Sequence, residues 1–310
     1  MIATQNRKRV CKKIETRTQR ILDELGNPDP PLCLDTVREL LEMDRSYFSS
    51  DDHGLLNKTF SRLKRAGKQI LKRPSILKDA IKKFDLRALY LPDQKRIIID
   101  DQVPLPKQRW LEGHEIGHGI LPWHNEMMLG DDDVTPTAST HDKMEAEANY
   151  AAGSLLFLNQ RFVEEVKSSP PSMASILKLK KTYGNTLTTT FWRTVEHCGE
   201  EVPILGLIGQ HPKDFSNEKP DFKHIILSRD FREKFEPPEL DNLKSKIALY
   251  CHRNKGPLGN RSLLLADKNG DTHSFKFETF YNGYAALTLA VYQKKTSTVI
   301  PAVDLSKLFR

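Results

Sequence analysis

The chain has few cysteines, and none stands in a pattern that binds metal or builds a disulfide scaffold. Only four occur in 310 residues, far apart at Cys11, Cys33, Cys198 and Cys251. No C-x-x-C pair is present, which argues against a zinc ribbon, and the wide spacing argues against a disulfide-rich secreted domain. We therefore expect free or buried thiols in a reducing cytoplasm.

Long apolar runs are also missing from the sequence. No stretch approaches the roughly 18 apolar residues of a membrane-spanning helix. The N-terminal sequence M-I-A-T-Q-N-R-K-R-V has charge but lacks the apolar core of a secretory signal. These absences predict a cytoplasmic protein with no membrane partner, and a length of 310 residues allows two domains.

The net charge of +7 is distributed unevenly. Between Lys58 and Lys83 the sequence is rich in Lys and Arg and has one acid, Asp79. Such a stretch can contact nucleic-acid phosphates or an acidic protein surface. The alternative is a solvated helix face with its apolar residues buried. We favour the solvated face over direct nucleic-acid binding, because the stretch lacks the series of aromatic residues that single-strand binders use.

The most informative segment is His114-Glu115-Ile116-Gly117-His118, which has the pattern H-E-x-x-H. It lies in a predicted helix from Pro106 to Leu121, and a helix places residues four apart on one face. His114 and His118 can therefore bind one metal ion from the same side, and Glu115 can act on a water molecule beside that ion. The alternative is an exposed helix with two histidines and a salt-bridged glutamate.

The flanking residues favour a buried metal helix over that alternative. Pro104 and Pro106 suit the entry of a helix, where Pro is tolerated in the first turn. Apolar positions that would bury the helix are Trp110, Leu111, Ile120 and Leu121. Glycine costs up to about 1 kcal/mol relative to Ala in a helix, so tight packing or access at a site is expected at Gly113, Gly117 and Gly119.

A catalytic zinc needs a third protein ligand and keeps its fourth position for water. The segment Asp142 to Leu158 is Ala-rich, lacks Pro and predicts a helix. Glu145 and Asn149 share one face of it, so Glu145 can bind the metal while Asn149 hydrogen-bonds a ligand. Glu147 competes with Glu145, but a rotation of about 200° prevents both from facing the metal. We favour Glu145; the alternative for both residues is a solvated acidic helix start.

The segment H-E-I-G-H-G-I-L-P-W-H, followed by E-A-E-A-N-Y-A-A-G-S-L-L, resembles the ImmA/IrrE family of zinc metallo-endopeptidases. The resemblance covers Ile70 to His197 and is strongest at the two helices. It implies that Glu145 is the third zinc ligand, because the first Glu of the second segment has that role in the family. It also implies a substrate, since family members cut helix-turn-helix repressors and so relieve repression in stress or mobile-element responses.

Two β-strands, Ala88 to Leu91 and Arg96 to Ile99, are predicted just before the metal helix, with a turn at Pro92-Asp93-Gln94. A hairpin in this place can hold an extended peptide substrate as an added strand. His124 follows the metal helix. It could donate to an oxyanion in the cleft, but we favour a supporting or surface role.

The polar segment from Glu126 to His141 is predicted to be a loop between the two metal helices. Its acidic run, Asp131-Asp132-Asp133, lacks the spacing of an EF-hand, so we favour a solvated loop over a calcium site. Further helices are predicted at Met1 to Leu25, Leu34 to Met43, Ile176 to Lys181 and Leu187 to His197.

After Gly199 the sequence changes to short apolar segments separated by turns, of which Asn269-Gly270 is a strong hairpin signal. One helix, Leu240 to Tyr250, is predicted among them, and no cofactor motif is found. The resemblance to the ImmA/IrrE family, some members of which carry a GAF-like sensor domain in this place, implies such a sensor, and a substrate-docking module is the alternative. The predicted strands are Val202 to Gly209, His224 to Leu227, Ser262 to Leu265, His273 to Phe277 and Leu287 to Tyr292.

Together these observations predict an α+β fold: a mainly helical, zincin-like peptidase domain with a small β-hairpin or sheet, followed by a β-rich C-terminal domain. The predicted division is a helical N-terminal extension at 1–70, the peptidase domain with its trailing helix pair at 71–199, and the C-terminal domain at 200–310.

The predicted function is a zinc-dependent endopeptidase that cleaves a specific protein, a DNA-binding repressor, with Glu115 as general base. Manganese or iron could replace zinc in such a nitrogen and oxygen site. The alternative is a non-proteolytic DNA- or protein-binding regulator with a structural zinc. A structural zinc has no need of a free carboxylate such as Glu115 and favours Cys or His as fourth ligand, so we favour the enzyme.

Overall fold

The computed structural model describes residues 2–48, 87–129, 138–198, 202–214 and 222–296. Its contacts divide the chain into two compact units. Unit 1 comprises Met1–Glu164 and Lys180–Thr186, and unit 2 comprises Glu165–Leu179 and Leu187–Arg310. The predicted boundaries at 70 and 199 lie outside the described residues, so the three-part division stays a prediction. The basic stretch Lys58 to Lys83 and the acidic run Asp131-Asp132-Asp133 also lie outside them.

The α+β fold class is confirmed. Unit 1 is mainly helical and contains a three-stranded sheet, whereas unit 2 is built on a five-stranded antiparallel sheet. Within the described ranges, no helix is both long enough and apolar enough to span a bilayer.

Unit 1 begins with two helices and a strand: α1 (Ile2–Glu24), α2 (Leu34–Leu41) and β1 (Asp44–Phe48). The predicted hairpin follows as β2 (Ala88–Leu91), a 3-10 turn (Pro92–Gln94) and β3 (Arg96–Asp100). The H-E-x-x-H segment lies in α3 (Leu105–Ile120). The remaining helices are α4 (Pro122–Leu129), α5 (Ala138–Leu156) and α6 (Gln160–Lys167), the last of which ends in unit 2.

The sheet of unit 1 has the order β1-β3-β2, with β1 parallel and β2 antiparallel to β3. The central strand is buried, with Ile97 and Ile99 fully inaccessible. Sequence reasoning missed β1, because Asp44-Arg45-Ser46 is polar and has no alternating apolar pattern. A parallel partner decides the conformation of that segment through its backbone hydrogen bonds rather than its own side chains.

The predicted loop from Glu126 to His141 is wrong at both ends. Helix α4 continues to Leu129 and α5 already begins at Ala138. The first turn of α5, Ala138-Ser139-Thr140-His141, lacks the apolar periodicity from which helices are predicted, so it resembles a loop in the sequence. The last turn of α4 is apolar at Met127, Met128 and Leu129, and its place in the predicted loop disregarded that signal.

A buried carboxylate anchors the metal helix to its neighbours. Glu112 of α3 is buried and accepts hydrogen bonds from Nε of Arg38 at 2.7 Å and from Nη1 of Arg45 at 2.8 Å. Arg38 belongs to α2 and Arg45 to β1. Such charge-assisted contacts fix orientation as well as distance, because a guanidinium group donates in a rigid geometry. The pair of arginines thus holds α3 in place.

Helices α3 and α5 approach each other unusually closely. A Cβ atom added at Gly117 would lie 2.7 Å from the carbonyl oxygen of Ala148, which is a backbone atom. One added at Gly113 would lie 2.8 Å from Cδ1 of Leu156, the end of a flexible side chain. The predicted reason for glycine in this helix, tight packing, therefore holds at both positions.

Unit 2 contains the predicted helix pair, α7 (Met173–Tyr183) and α8 (Leu187–Cys198), although the last turn of α7 belongs to unit 1. The sheet has the order β5-β4-β8-β7-β6 and is antiparallel throughout. Its strands are β4 (Ile204–Gly209), β5 (Phe222–Leu227), β6 (Gly256–Ala266), β7 (Thr272–Tyr281) and β8 (Ala286–Lys295). Between β5 and β6 lie α9 (Arg229–Lys234), which the sequence analysis did not predict, and α10 (Leu240–Tyr250), which has the predicted bounds.

Both faces of this sheet are covered, which explains why β4 is buried along its whole length. Ile204 and Ile208 pack with Phe191 of α8 on one face. Leu205 and Leu207 pack with residues of α9 and α10 on the other. A strand with two buried faces shows a continuous apolar run instead of alternation.

The cysteines provide a test of this packing. All four are free, as predicted. Burial raises the pKa of the Cys198 thiol to about 12 and that of Cys251 to about 11. Because the thiolate is the reactive form, we expect a thiol reagent to label exposed Cys33 first, and Cys198 and Cys251 only on unfolding. Mass spectrometry of the labelled protein measures this, and fast native labelling of Cys251 would contradict the fold.

A pair of glycine variants tests the helix contact. Gly117→Ala and Gly113→Ala both gain up to about 1 kcal/mol of helix propensity. Only Gly117→Ala meets rigid backbone, and overpacking of that kind costs about 1–3 kcal/mol. We therefore expect a net loss of unfolding free energy for Gly117→Ala and a smaller change, of either sign, for Gly113→Ala, measured by urea denaturation. Equal stability of the two variants would show that the helices can separate without cost.

Candidate metal centre

Helix α3 presents both histidines of the H-E-x-x-H segment on one face, as their spacing predicts. The Nε2 atoms of His114 and His118 are 3.2 Å apart, although the residues are a full turn apart in the helix. Both side chains are largely buried. Two nitrogen lone pairs at this separation repel each other unless a cation or a proton lies between them.

Helix α5 brings a carboxylate to the same point. Oε2 of Glu145 is 3.1 Å from Nε2 of His114, and Oε1 of Glu145 is 3.4 Å from Nε2 of His118. Within the described residues these three side chains form the group with metal-ligating geometry, and their donor atoms all lie within 4.8 Å of one another.

The geometry of the group suits a small divalent metal. Zinc bound to nitrogen and oxygen at 2.0–2.1 Å in a tetrahedron requires ligand atoms about 3.3–3.4 Å apart. The two imidazole Nε2 atoms are 3.2 Å apart, and each lies 3.1–3.4 Å from one of the two oxygens of Glu145, which is close to that requirement. Two imidazoles and a carboxylate are also a usual set of zinc ligands, with a fourth position left for water or substrate. The residues present therefore fit the metal.

Glu147, the competing ligand, lies in a different environment. Its Oε2 accepts hydrogen bonds from Nε1 of Trp123 at 2.7 Å and from the Nε2 side of His124 at 3.1 Å. Glu145 thus lies against His114 and His118, whereas Glu147 lies against Trp123 and His124. The rotation of about 200° between the two glutamates accounts for this difference.

Asn149 stands behind His114, where sequence reasoning put it. Its Oδ1 is 3.1 Å from Nδ1 of His114. A neutral imidazole whose Nδ1–H donates to that oxygen keeps the lone pair on Nε2, which faces His118 and Glu145. The side-chain amide therefore sets the tautomer that metal binding requires.

His124 stands behind His118. It is fully buried, and its Nδ1 lies 3.0 Å from Nδ1 of His118. Burial lowers the pKa of His124 below its usual value, despite the opposing hydrogen bond to Glu147. The sequence predicts a supporting or surface role for His124; its full burial excludes the surface role, and its link to Glu147 was not predicted. In the sequence, that link is signalled only by Trp123 and His124, which directly follow Pro122 after the metal helix.

Glu115 lies beside the donor group on the neighbouring face of α3. It is 7% exposed, and the backbone N–H of Tyr90 in β2 hydrogen-bonds its carboxylate. Burial raises the pKa of Glu115, while the nearby His114 and His118 partly oppose the rise. A carboxylate with a raised pKa accepts a proton more readily near neutral pH than an exposed one does.

The charges of the donor group support one another. Hydrogen bonds from His114 and His118 hold the pKa of Glu145 well below its usual range. Burial by itself would lower the pKa of His114, but contacts with Glu145, Glu115 and Asn149 raise it overall. Protons and a metal ion therefore compete for the same atoms, so metal affinity should fall as the pH is lowered.

Comparisons with known proteins agree with this geometry. Residues 65–190 match the family model of the IrrE N-terminal-like domain. A solved Mycobacterium tuberculosis transcriptional regulator superposes with a TM-score of 0.51 and 12% identity, over 90% of this chain and 88% of that chain. At this identity the likeness concerns the fold alone. The comparison with curated proteins gives no match. The matched span contains α3, α5 and the three donor residues, so residues 65–190 are an IrrE N-terminal-like domain, the metallopeptidase domain of the ImmA/IrrE family.

Proposed function

We propose that the protein is a cytoplasmic, zinc-dependent endopeptidase that cleaves a specific protein, a helix-turn-helix transcriptional repressor, and so relieves repression. The observation that carries the proposal is the position of Glu115, a buried carboxylate beside a group of three metal-ligating side chains. A metallopeptidase needs these parts together: three protein ligands, an open fourth position and a general base.

Each residue has a definite part in the reaction. His114, His118 and Glu145 would hold the metal. A zinc ion held by these residues would supply Lewis acidity toward a water molecule and the scissile carbonyl. Glu115 removes a proton from the attacking water and then delivers it to the nitrogen of the leaving amine. Asn149 keeps His114 in the required tautomer.

The edge of the small sheet supports an extended polypeptide as the substrate. Among the described strands, β2 pairs with β3 alone, and its Tyr90 N–H contacts the carboxylate of Glu115. A peptide that adds to the outer edge of β2 would therefore lie next to the general base. Main-chain hydrogen bonds bind such a peptide, while pockets for its side chains give specificity. The part played by unit 2, as sensor or as docking module, stays a proposal.

The second candidate, a non-proteolytic regulator with a structural zinc, has less support. A structural site fills all four positions with protein ligands, commonly Cys or His. Among the described residues, exposed His141 has its Nε2 3.9 Å from the Glu145 carboxylate, but it is not one of the three side chains with metal-ligating geometry. A structural role also gives no reason for burying Glu115, which is costly for a carboxylate.

Metal content should depend on the three donor residues. His114→Ala or Glu145→Ala removes one of three protein ligands, so we expect the purified protein to lose its stoichiometric metal, measured by elemental mass spectrometry. The same measurement distinguishes zinc from manganese or iron in the parent protein. Asp142→Asn, which alters an exposed carboxylate of α5, is the control and should retain the metal. Full metal content in Glu145→Ala would exclude Glu145 as a ligand.

Glu115→Gln should retain metal and fold but lose catalysis. The glutamine oxygen can still accept from Tyr90 N–H but cannot take a proton from water, and loss of a general base costs about 10²- to 10⁴-fold. The assay is incubation of metal-loaded protein with a helix-turn-helix repressor encoded beside its gene, with fragments identified by mass spectrometry. We expect one defined cut by the parent protein. Undiminished cleavage by Glu115→Gln would refute the mechanism, and cleavage by neither would refute the proposed substrate.

A further inference from the structure

A continuous hydrogen-bonded path leads away from the donor group behind His118. Nδ1 of His118 is 3.0 Å from Nδ1 of His124, and Nε2 of His124 is 3.1 Å from Oε2 of Glu147. Trp123 donates its indole N–H to the same carboxylate oxygen at 2.7 Å. Because His124 is fully buried, its two ring nitrogens depend on these contacts in place of water.

When a metal is bound, each hydrogen bond of the path has a defined donor and acceptor. Nε2 of His118 must then offer its lone pair, so its proton stays on Nδ1 and is donated to Nδ1 of His124. A neutral His124 that accepts at Nδ1 carries its own proton on Nε2. That proton is donated to Glu147, which as a carboxylate accepts it together with the Trp123 N–H. Every donor in the path then faces one acceptor.

We propose that Glu147, acting through His124, fixes the tautomer and orientation of His118 and makes its Nε2 a stronger metal ligand. Glu147 and His124 are thus positioning residues, because neither lies among the atoms that would bind the metal. A carboxylate behind a ligand histidine has this effect in metal sites generally, and here an imidazole transmits it. The inference rests on the metal site of the proposed function.

The two ligand histidines are supported by chemically different acceptors. His114 donates to the neutral amide oxygen of Asn149. His118 donates to an imidazole that is itself polarised by a carboxylate. The carboxylate of Glu147, by accepting from Nε2–H of His124, makes Nδ1 of that neutral ring a stronger acceptor for His118 than an isolated imidazole would be. The positioning of His118 through His124 thus gives a role to Glu147, the glutamate two residues after the ligand Glu145.

Zinc affinity tests the role of the path without a substrate. The dissociation constant for zinc would be measured by competition with a chromophoric chelator for the parent protein, Glu147→Gln and His124→Asn. Glutamine can still accept from His124 and Trp123, so Glu147→Gln removes only the charge and keeps the packing. Asp142→Asn again serves as the control for loss of one carboxylate from α5. Cobalt substitution adds a visible spectrum that reports the geometry of the ligands.

We expect both path variants to bind zinc about 10- to 100-fold more weakly, the range for supporting residues of metal ligands. The control should be unchanged, and the metal-free Glu147→Gln protein should unfold at the same temperature as the parent. If His124→Asn does not fold, Glu147→Gln decides alone. A zinc affinity of Glu147→Gln within about twofold of the parent would overturn the proposal, since supporting residues contribute at least about tenfold.

The zinc-affinity measurement tests the positioning role independently of the cleavage assay that tests the proposed function. A parent protein that binds zinc tightly but cleaves no repressor would refute the proposed substrate, while weaker zinc binding by Glu147→Gln would still establish the positioning role. Conversely, cleavage by the parent together with unaltered zinc affinity in Glu147→Gln would refute the positioning role alone.

Discussion

The close contact between α3 and α5 is the constraint on which the candidate metal centre depends. Gly117 sits one position before His118, and Ala148 sits three positions after Glu145, so contact between these two small residues sets the distance between the ligands. A larger residue at Gly117 would meet the backbone of Ala148, separate the helices and move the carboxylate away from the imidazoles. The buried Glu112, held by Arg38 and Arg45, fixes the rotation of α3 about that contact.

Burial and neighbouring charges give the carboxylates of this site different pKa values. Glu115 is polar but almost inaccessible, so its pKa is raised, whereas the more exposed Glu145 has a depressed pKa because it faces two imidazoles. Two carboxylates within one site thus differ in proton affinity, which suits one to accept a proton and the other to bind a metal. The hairpin contributes as well, since the backbone N–H of Tyr90 hydrogen-bonds Glu115 from β2, the outer strand of the sheet among the described strands and the one to which we propose that a peptide adds.

Unit 2 is stabilised by hydrophobic packing on both faces of its sheet. Its five-stranded sheet is covered by helices on both faces, with α8 on one side and α9 and α10 on the other. Gly206 of β4 allows α8 to approach closely, because an added Cβ would lie 2.9 Å from both Phe191 and Val195. Helix α8, which in the sequence looks like the end of the peptidase domain, therefore completes the core of the β-rich unit.

The sequence by itself determined those features whose causes are local. Spacing of four in a helix predicted that His114 and His118 share a face, the rotation between Glu145 and Glu147 predicted that only one could join them, and Asn269-Gly270 predicted the β6–β7 hairpin. Tertiary structure decided the rest. Strand β1 forms through pairing with a parallel strand about 50 residues away. The path from Glu147 of α5 to His118 of α3 passes through His124 of α4 and so joins three helices. No local pattern encodes this approach, because side chains distant in sequence meet only when the backbones pack.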